Sequence, residues 1–244
     1  MSTWVALLRK DFRLTRTVFF VGLVMNVLMV MLSIYVGMKA NSLFMFIPIV
    51  VAIGFHILYV PIMVFMSLRA EAHELHLWLH NPQPASSLLS SKIVNGLIMI
   101  VISLLTLYVV SGLLIIFNFN LIEAYWADAW MSGLLIFLHI IMVSIMMGVW
   151  VMFLWTLYQS LKSRIGRWSW LVVIGVVIGS GWIFAYFEST SLYRVVTNWG
   201  GIVYHFPSFS LDIQTYTGEY MYNFIIIIGL FLLSAWIIDN KVEV

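Results

Sequence analysis

Six long apolar runs divide the chain, at positions 18–38, 43–67, 93–117, 129–158, 168–187 and 220–238. Each is close to or beyond the roughly 20 residues that a helix needs to cross a bilayer's hydrocarbon core. None alternates apolar with polar residues as a transmembrane strand does, so the pattern predicts helices. The fourth run is long enough to tilt or to project into the cytosol. The expectation is an all-α, polytopic membrane protein with six transmembrane helices, forming one transmembrane domain over residues 1–244. The first run is too long for a cleaved signal and lacks a small-x-small exit, so it is read as a retained span.

The intervals between the runs add orientation. In residues 2–16, Trp4, Leu7, Leu8, Phe12 and Leu14 share one broad face at 100° per residue, and Arg9, Lys10, Arg13 and Arg16 take the other. Asp11 is the exception on the apolar side. This predicts an amphipathic interfacial helix whose basic face meets anionic headgroups of membrane lipid. If the N-terminus is cytosolic, ten of the 12 Lys and Arg residues fall on the inside, and only Lys39 and Arg194 fall outside. The bias predicts an N-in, C-in arrangement. Residues 68–92 are then a cytosolic loop and 188–219 an outer loop. That outer stretch is expected to fold back on the membrane as short helices, with Trp199, Tyr204 and Phe206 at the headgroup level.

Composition removes several function classes. The chain is 63% hydrophobic and only 9% charged, against roughly 25% charged in soluble domains, and a globule of this size cannot bury so much apolar surface. Net charge is +2, and no nucleic-acid partner is expected. There is no cysteine, hence no disulfide and no thiolate metal site. By this assignment every acid and every Lys or Arg lies in a loop, at a terminus or at a span end. An ion-coupled secondary carrier normally holds an ionisable group inside the membrane, and only His56 and His139 qualify here. No GxxxxGK[ST] occurs, so any ATP must be bound by another polypeptide. No Ser/His/acid set can be argued from spacing, so no catalytic residue or cofactor is assigned. A non-transporting intramembrane enzyme or assembly factor stays open as an alternative.

Within the spans, Asn26, His56 and His139 are the polar residues most costly to face lipid. They either line a substrate pathway or bond between helices. Gly175 and Gly179 form a GxxxG pair that permits close helix approach, within the subunit or across a dimer. Pro48 and Pro61 each remove a backbone hydrogen bond from the second span and allow a kink.

The loop at 68–92, LRAEAHELHLWLHNPQPASSLLSSK, carries most of the chain's distinctive chemistry. His73, His76 and His80 share a helical face and could ligate zinc. The protease motif HExxH fails, however, because position 77 is Leu, and no metal site is assigned. Leu75, Leu77, Trp78 and Leu79 are costly to expose to water unless lipid or a partner covers them. Pro82 and Pro84 stiffen the turn, and Ser86 or Ser87 can cap the next helix before Leu88 and Leu89. A rigid, partly apolar knob of this kind suits a groove on another protein.

Taken together, the layout resembles the permease subunits of ABC-2-type transporters. An amphipathic helix, six spans, a helical loop between spans two and three and a long loop before span six all match. So does the local run of Glu71 and Glu74, then Leu77-Trp78-Leu79, Pro82, Ser86-Ser87-Leu88-Leu89 and Lys92. Where the family has Leu-Pro, this chain has His80-Asn81-Pro82. The resemblance implies two permease subunits, identical or related, working with two separate ATPase subunits that carry ATP and magnesium. It also implies that Glu71, Glu74, Leu75, Trp78, Leu79, Pro82, Pro84, Ser87 and Leu88 belong to the coupling element docked on the ATPase. Small members of this kind are similar to bacterial exporters of, or immunity transporters against, membrane-active peptides, which implies a place in the bacterial plasma membrane.

Overall fold

The computed structural model describes residues 3–40, 43–72, 83–118, 123, 126–206 and 211–241. Side chains are described for the same stretches except at positions 3, 40, 43, 126–129, 205–206, 211–212 and 241. The order is α1 (Thr3–Ala40), α2 (Ile47–Phe55), α3 (Tyr59–Glu71), α4 (Ala85–Phe117), α5 (Trp126–Ile165), α6 (Ser169–Glu188), α7 (Ser191–Thr197), β1 (Gly201–Phe206), β2 (Leu211–Tyr216) and α8 (Thr217–Lys241). Among the described residues, five helical stretches are long and apolar enough to cross a membrane. The longest of them, Trp130–Glu188, bends at Gly166, whose φ of 57° is open to glycine without strain, and so comprises α5 and α6. The chain is a multi-pass membrane protein.

Residues 3–16 are not a separate interfacial helix. They are the first turns of α1, which runs unbroken for 38 residues. The reason is the odd residue on their apolar side. Leu7, Asp11 and Thr15 are buried, so this face packs against the chain's own helices, while Phe12, Leu14 and the arginines are exposed.

The second span breaks where one of its two prolines requires it. A 3₁₀ turn, His56–Leu58, separates α2 from α3 just before Pro61, whose ring cannot accept the preceding helical geometry. The backbone N–H of Val60, in the first turn of α3, donates to Ser144 Oγ at 3.1 Å. Pro48 makes no kink. It lies in the first turn of α2, where a missing N–H costs nothing.

Close helix approach is found at glycines other than the GxxxG pair. A Cβ on Gly148 would lie 2.6 Å from Val60 Cγ1, and one on Gly96 would lie 3.2 Å from the same atom. Gly175 and Gly179 have nothing within 4 Å of such a Cβ, so they make no tight contact among the described residues. Only Ser169 of α6 is buried, and Trp182 is 78% exposed.

Among its described residues the 188–219 connection holds one short helix and two antiparallel strands, not a set of short helices. Thr190 caps α7 by accepting from the Tyr193 N–H at 3.2 Å. Then β1 and β2 pair antiparallel, from Gly201 opposite Tyr216 to Phe206 opposite Leu211. The strands are rich in the β-branched and aromatic residues Ile202, Val203, Tyr204, Ile213, Thr215 and Tyr216. Trp199 is exposed and Tyr204 half-buried, while the Phe206 side chain lies outside the described residues. Phe187, Tyr193 and Tyr222 form a ring cluster with centroids 5.4 to 6.0 Å apart. Burial pushes the Tyr193 phenol above its ordinary pKa, with Glu219 and Glu188 adding to the effect.

The chain divides into two compact units, Met1–His73 with Ser87–Gly148, and Glu74–Ser86 with Val149–Val244. Helices α4 and α5 each contribute residues to both.

Candidate functional site

The first unit contains a buried polar seam that begins with charge. Asp11 of α1 is 0% exposed and Lys92 of α4 is 1% exposed. Lys92 Nζ lies 2.9 Å from Asp11 Oδ1 and donates to Ser67 Oγ at 2.9 Å. Ser67 in turn donates to Asp11 Oδ1 at 3.1 Å, and Ser91 donates to Oδ2 at 2.5 Å. Glu71, in the last turn of α3, completes the group. Its Oε2 lies 2.7 Å from Lys92 Nζ and its Oε1 lies 2.5 Å from Lys10 Nζ. Two carboxylates and two ammonium groups balance, which is the condition for keeping charge out of water.

Helix periodicity explains the assembly. Asp11 and Thr15 are one turn apart on α1, Ser67 and Glu71 one turn apart on α3, and Ser91, Lys92 and Asn95 cover about one turn of α4. Thr15 donates to the Asp11 carbonyl at 2.9 Å and accepts from Asn95 Nδ2 at 3.0 Å. Next along the seam comes an apolar plug of Phe19, Met63 and Met99.

Beyond the plug, Asn26 and His56 meet on one hydroxyl. Asn26 Nδ2 donates to Ser103 Oγ at 3.0 Å. His56 Nδ1 is 2.8 Å from the Ala52 carbonyl, which can only accept, so Nδ1 carries the proton and Nε2 accepts from Ser103 at 3.0 Å. The imidazole also stacks on Tyr59, with ring centroids 5.5 Å apart. These hydrogen bonds join Asn26 of α1 and His56 of the second span to Ser103 of α4. His139 Nδ1 donates to the Leu135 carbonyl of its own helix at 2.8 Å.

Of the coupling and metal candidates in the 68–92 loop, Glu71 belongs to the charge cluster, and the rest divide into three groups. His73, Glu74, Leu75, His76, Leu77, Trp78, Leu79, His80 and Pro82 lie outside the described residues. Pro84 is exposed and Ser87 half-buried. Leu88 is buried, as is Leu89, which removes Leu88 from any surface open to a partner. Nor do Ser86 and Ser87 cap α4, since the helix already starts at Ala85. The Ala85 N–H is instead bonded by Asp239 Oδ1, at 3.2 Å, from the last turns of α8. Among the described residues no group of three metal-ligating side chains occurs.

Sequence reasoning placed every acid and base in a loop, at a terminus or at a span end, and missed that Asp11, Glu71 and Lys92 converge there, with Asp11 and Lys92 fully buried. The available signal was Asp11 itself, a carboxylate on the apolar side of an amphipathic helix.

Over its full length the chain is similar to an uncharacterized protein, YhcE, of Bacillus subtilis (strain 168). The two are 27% identical over 259 aligned positions, which cover 100% of each chain. No family model matches the chain, and no solved structure does.

Proposed function

We propose that this protein is the transmembrane subunit of an ATP-driven exporter of the ABC-2 permease type, acting in a bacterial plasma membrane. It pairs with a second permease and takes its energy from a separate ATPase docked at the 68–92 loop. Membrane-active peptides or other amphiphiles are the substrate class.

One observation carries this reading. Both helix ends that border the loop are held by buried or capping charge. On one side, Glu71 is clamped between Lys10 and Lys92. On the other, the first N–H of α4 is held by Asp239. A segment that passes force from an ATPase to the membrane helices needs mounts that do not yield, whereas a passive connector could fray at both ends.

The test is affinity purification of the tagged chain in mild detergent, followed by ATP turnover in vesicles. The expected result is co-purification of an ATPase of about 25–35 kDa, the size of one nucleotide-binding domain. A preparation that transports substrate on an ion gradient with no nucleotide-binding partner would overturn the proposal. The carrier alternative would then fall on the buried Asp11–Lys92 pair.

A further inference from the structure

The outward side of α1 is used neither by the charge cluster nor by the proposed coupling. Arg9, Arg13 and Arg16 are exposed, and none pairs with a described acid. At 100° per residue they fall within about 60° of arc. Phe20, Val24 and Met31 continue the same line, all exposed. A shallow groove lined by Arg16, Thr17, Phe20 and Val24, among others, joins the basic part to the apolar part.

Because α1 is one continuous helix, this stripe runs along the helix axis into the span. It does not lie flat on the surface. At 1.5 Å per residue the arginines cover about 10 Å and the stretch from Phe20 to Met31 about 16 Å. One leaflet of hydrocarbon is about 15 Å deep, half of the bilayer core. The apolar part therefore has the depth of one acyl chain, and the basic part sits where its headgroup would be.

We propose that this face of α1 binds one anionic diacyl phospholipid, with its phosphate on Arg16 and Thr17 and an acyl chain in the groove past Phe20 and Val24. A guanidinium matches phosphate geometry with paired donors. Among the described residues no acid neutralises the site. The nearest acid in sequence, Asp11, points to the opposite side of α1 and is already held by Lys92, Ser67 and Ser91. Three exposed arginines with no described acid beside them therefore favour a headgroup of net negative charge over a zwitterionic one, which brings its own cation.

Native mass spectrometry of the full-length protein in detergent tests this, with added phosphatidylglycerol or phosphatidylcholine of matched chains. Wild type should retain phosphatidylglycerol about tenfold more strongly, and each of Arg13→Ala and Arg16→Ala should lower that retention about fivefold. Arg164→Ala, which removes an exposed arginine at the end of α5, should leave it unchanged. Val24→Trp should fill the groove and weaken retention of both lipids. Equal retention of the two lipids by wild type would overturn the proposal, and that comparison needs no variant to fold. The same loss from Arg164→Ala as from Arg16→Ala would also overturn it, since the attraction would then be spread over every surface cation.

Discussion

Asp11 and Lys92 carry the strongest prediction at the residue scale. Removing one member of a buried ion pair strands the other, at a cost of about 3–5 kcal/mol, whereas replacing both with apolar residues of similar volume is far milder. Asp11→Leu and Lys92→Met should each lower thermal stability in detergent severely, and the double variant should recover much of the loss. Additive losses in the double-mutant cycle would mean that the two side chains do not act on each other. The glycines give a second contrast. Gly148→Ala drives a methyl into Val60 and should cost about 1–3 kcal/mol, the range for overpacking. Gly175→Ala and Gly179→Ala enter open space and should stay within about 0.5 kcal/mol in the isolated subunit, as surface changes do. A measurable drop at Gly175 only in an assembled complex would place a partner chain against α6.

At the scale of elements, the start of α4 is the informative point. Asp239→Ala should cost about 1 kcal/mol, as the loss of a helix cap does, and should raise amide exchange in the first turn of α4 before any other helix is affected. Unchanged exchange there would mean that water replaces the carboxylate without penalty. The burial of Leu88 separates two variants that the sequence treats alike. Leu88→Asp puts a carboxylate into the core and should prevent folding. Leu79→Asp should leave the permease inserted and weaken co-purification with the ATPase. An intact complex with Leu79→Asp would remove that residue from the docking surface.

For the whole molecule, the Lys and Arg bias predicts which side of the membrane each connection faces. With no natural cysteine to interfere, single cysteines give a direct readout. Val195→Cys on α7 is 77% exposed and should react with an impermeant thiol reagent on intact cells. Ser163→Cys, exposed near the end of α5, should react only after lysis. The reverse pattern would invert the topology and move the 68–92 loop away from any cytosolic ATPase.

By itself the sequence determined that this chain lives in a membrane as long helices, because 18 or more apolar residues in a row have no other stable place. It also offered a break at each of Pro48 and Pro61, and only the helix boundaries separated the two, since Pro48 falls in a first turn where a missing N–H costs nothing. The pairing of 201–206 with 211–216 was legible only as a polar, aromatic connection, because strand pairing depends on which residues come to lie opposite one another. Only the tertiary structure decided which helices touch and which polar groups they bring together. Asp11, Ser67 and Lys92 are separated by 56 and 25 residues, and no local period links them. A GxxxG spacing permits close approach but needs a neighbouring helix to supply it. That neighbour is Val60, and it meets Gly96 and Gly148. Burial of a charge is likewise a property of the company it keeps: along the chain Lys92 reads as a basic span-end residue, and only three converging helices turn it into the centre of a closed electrostatic contact.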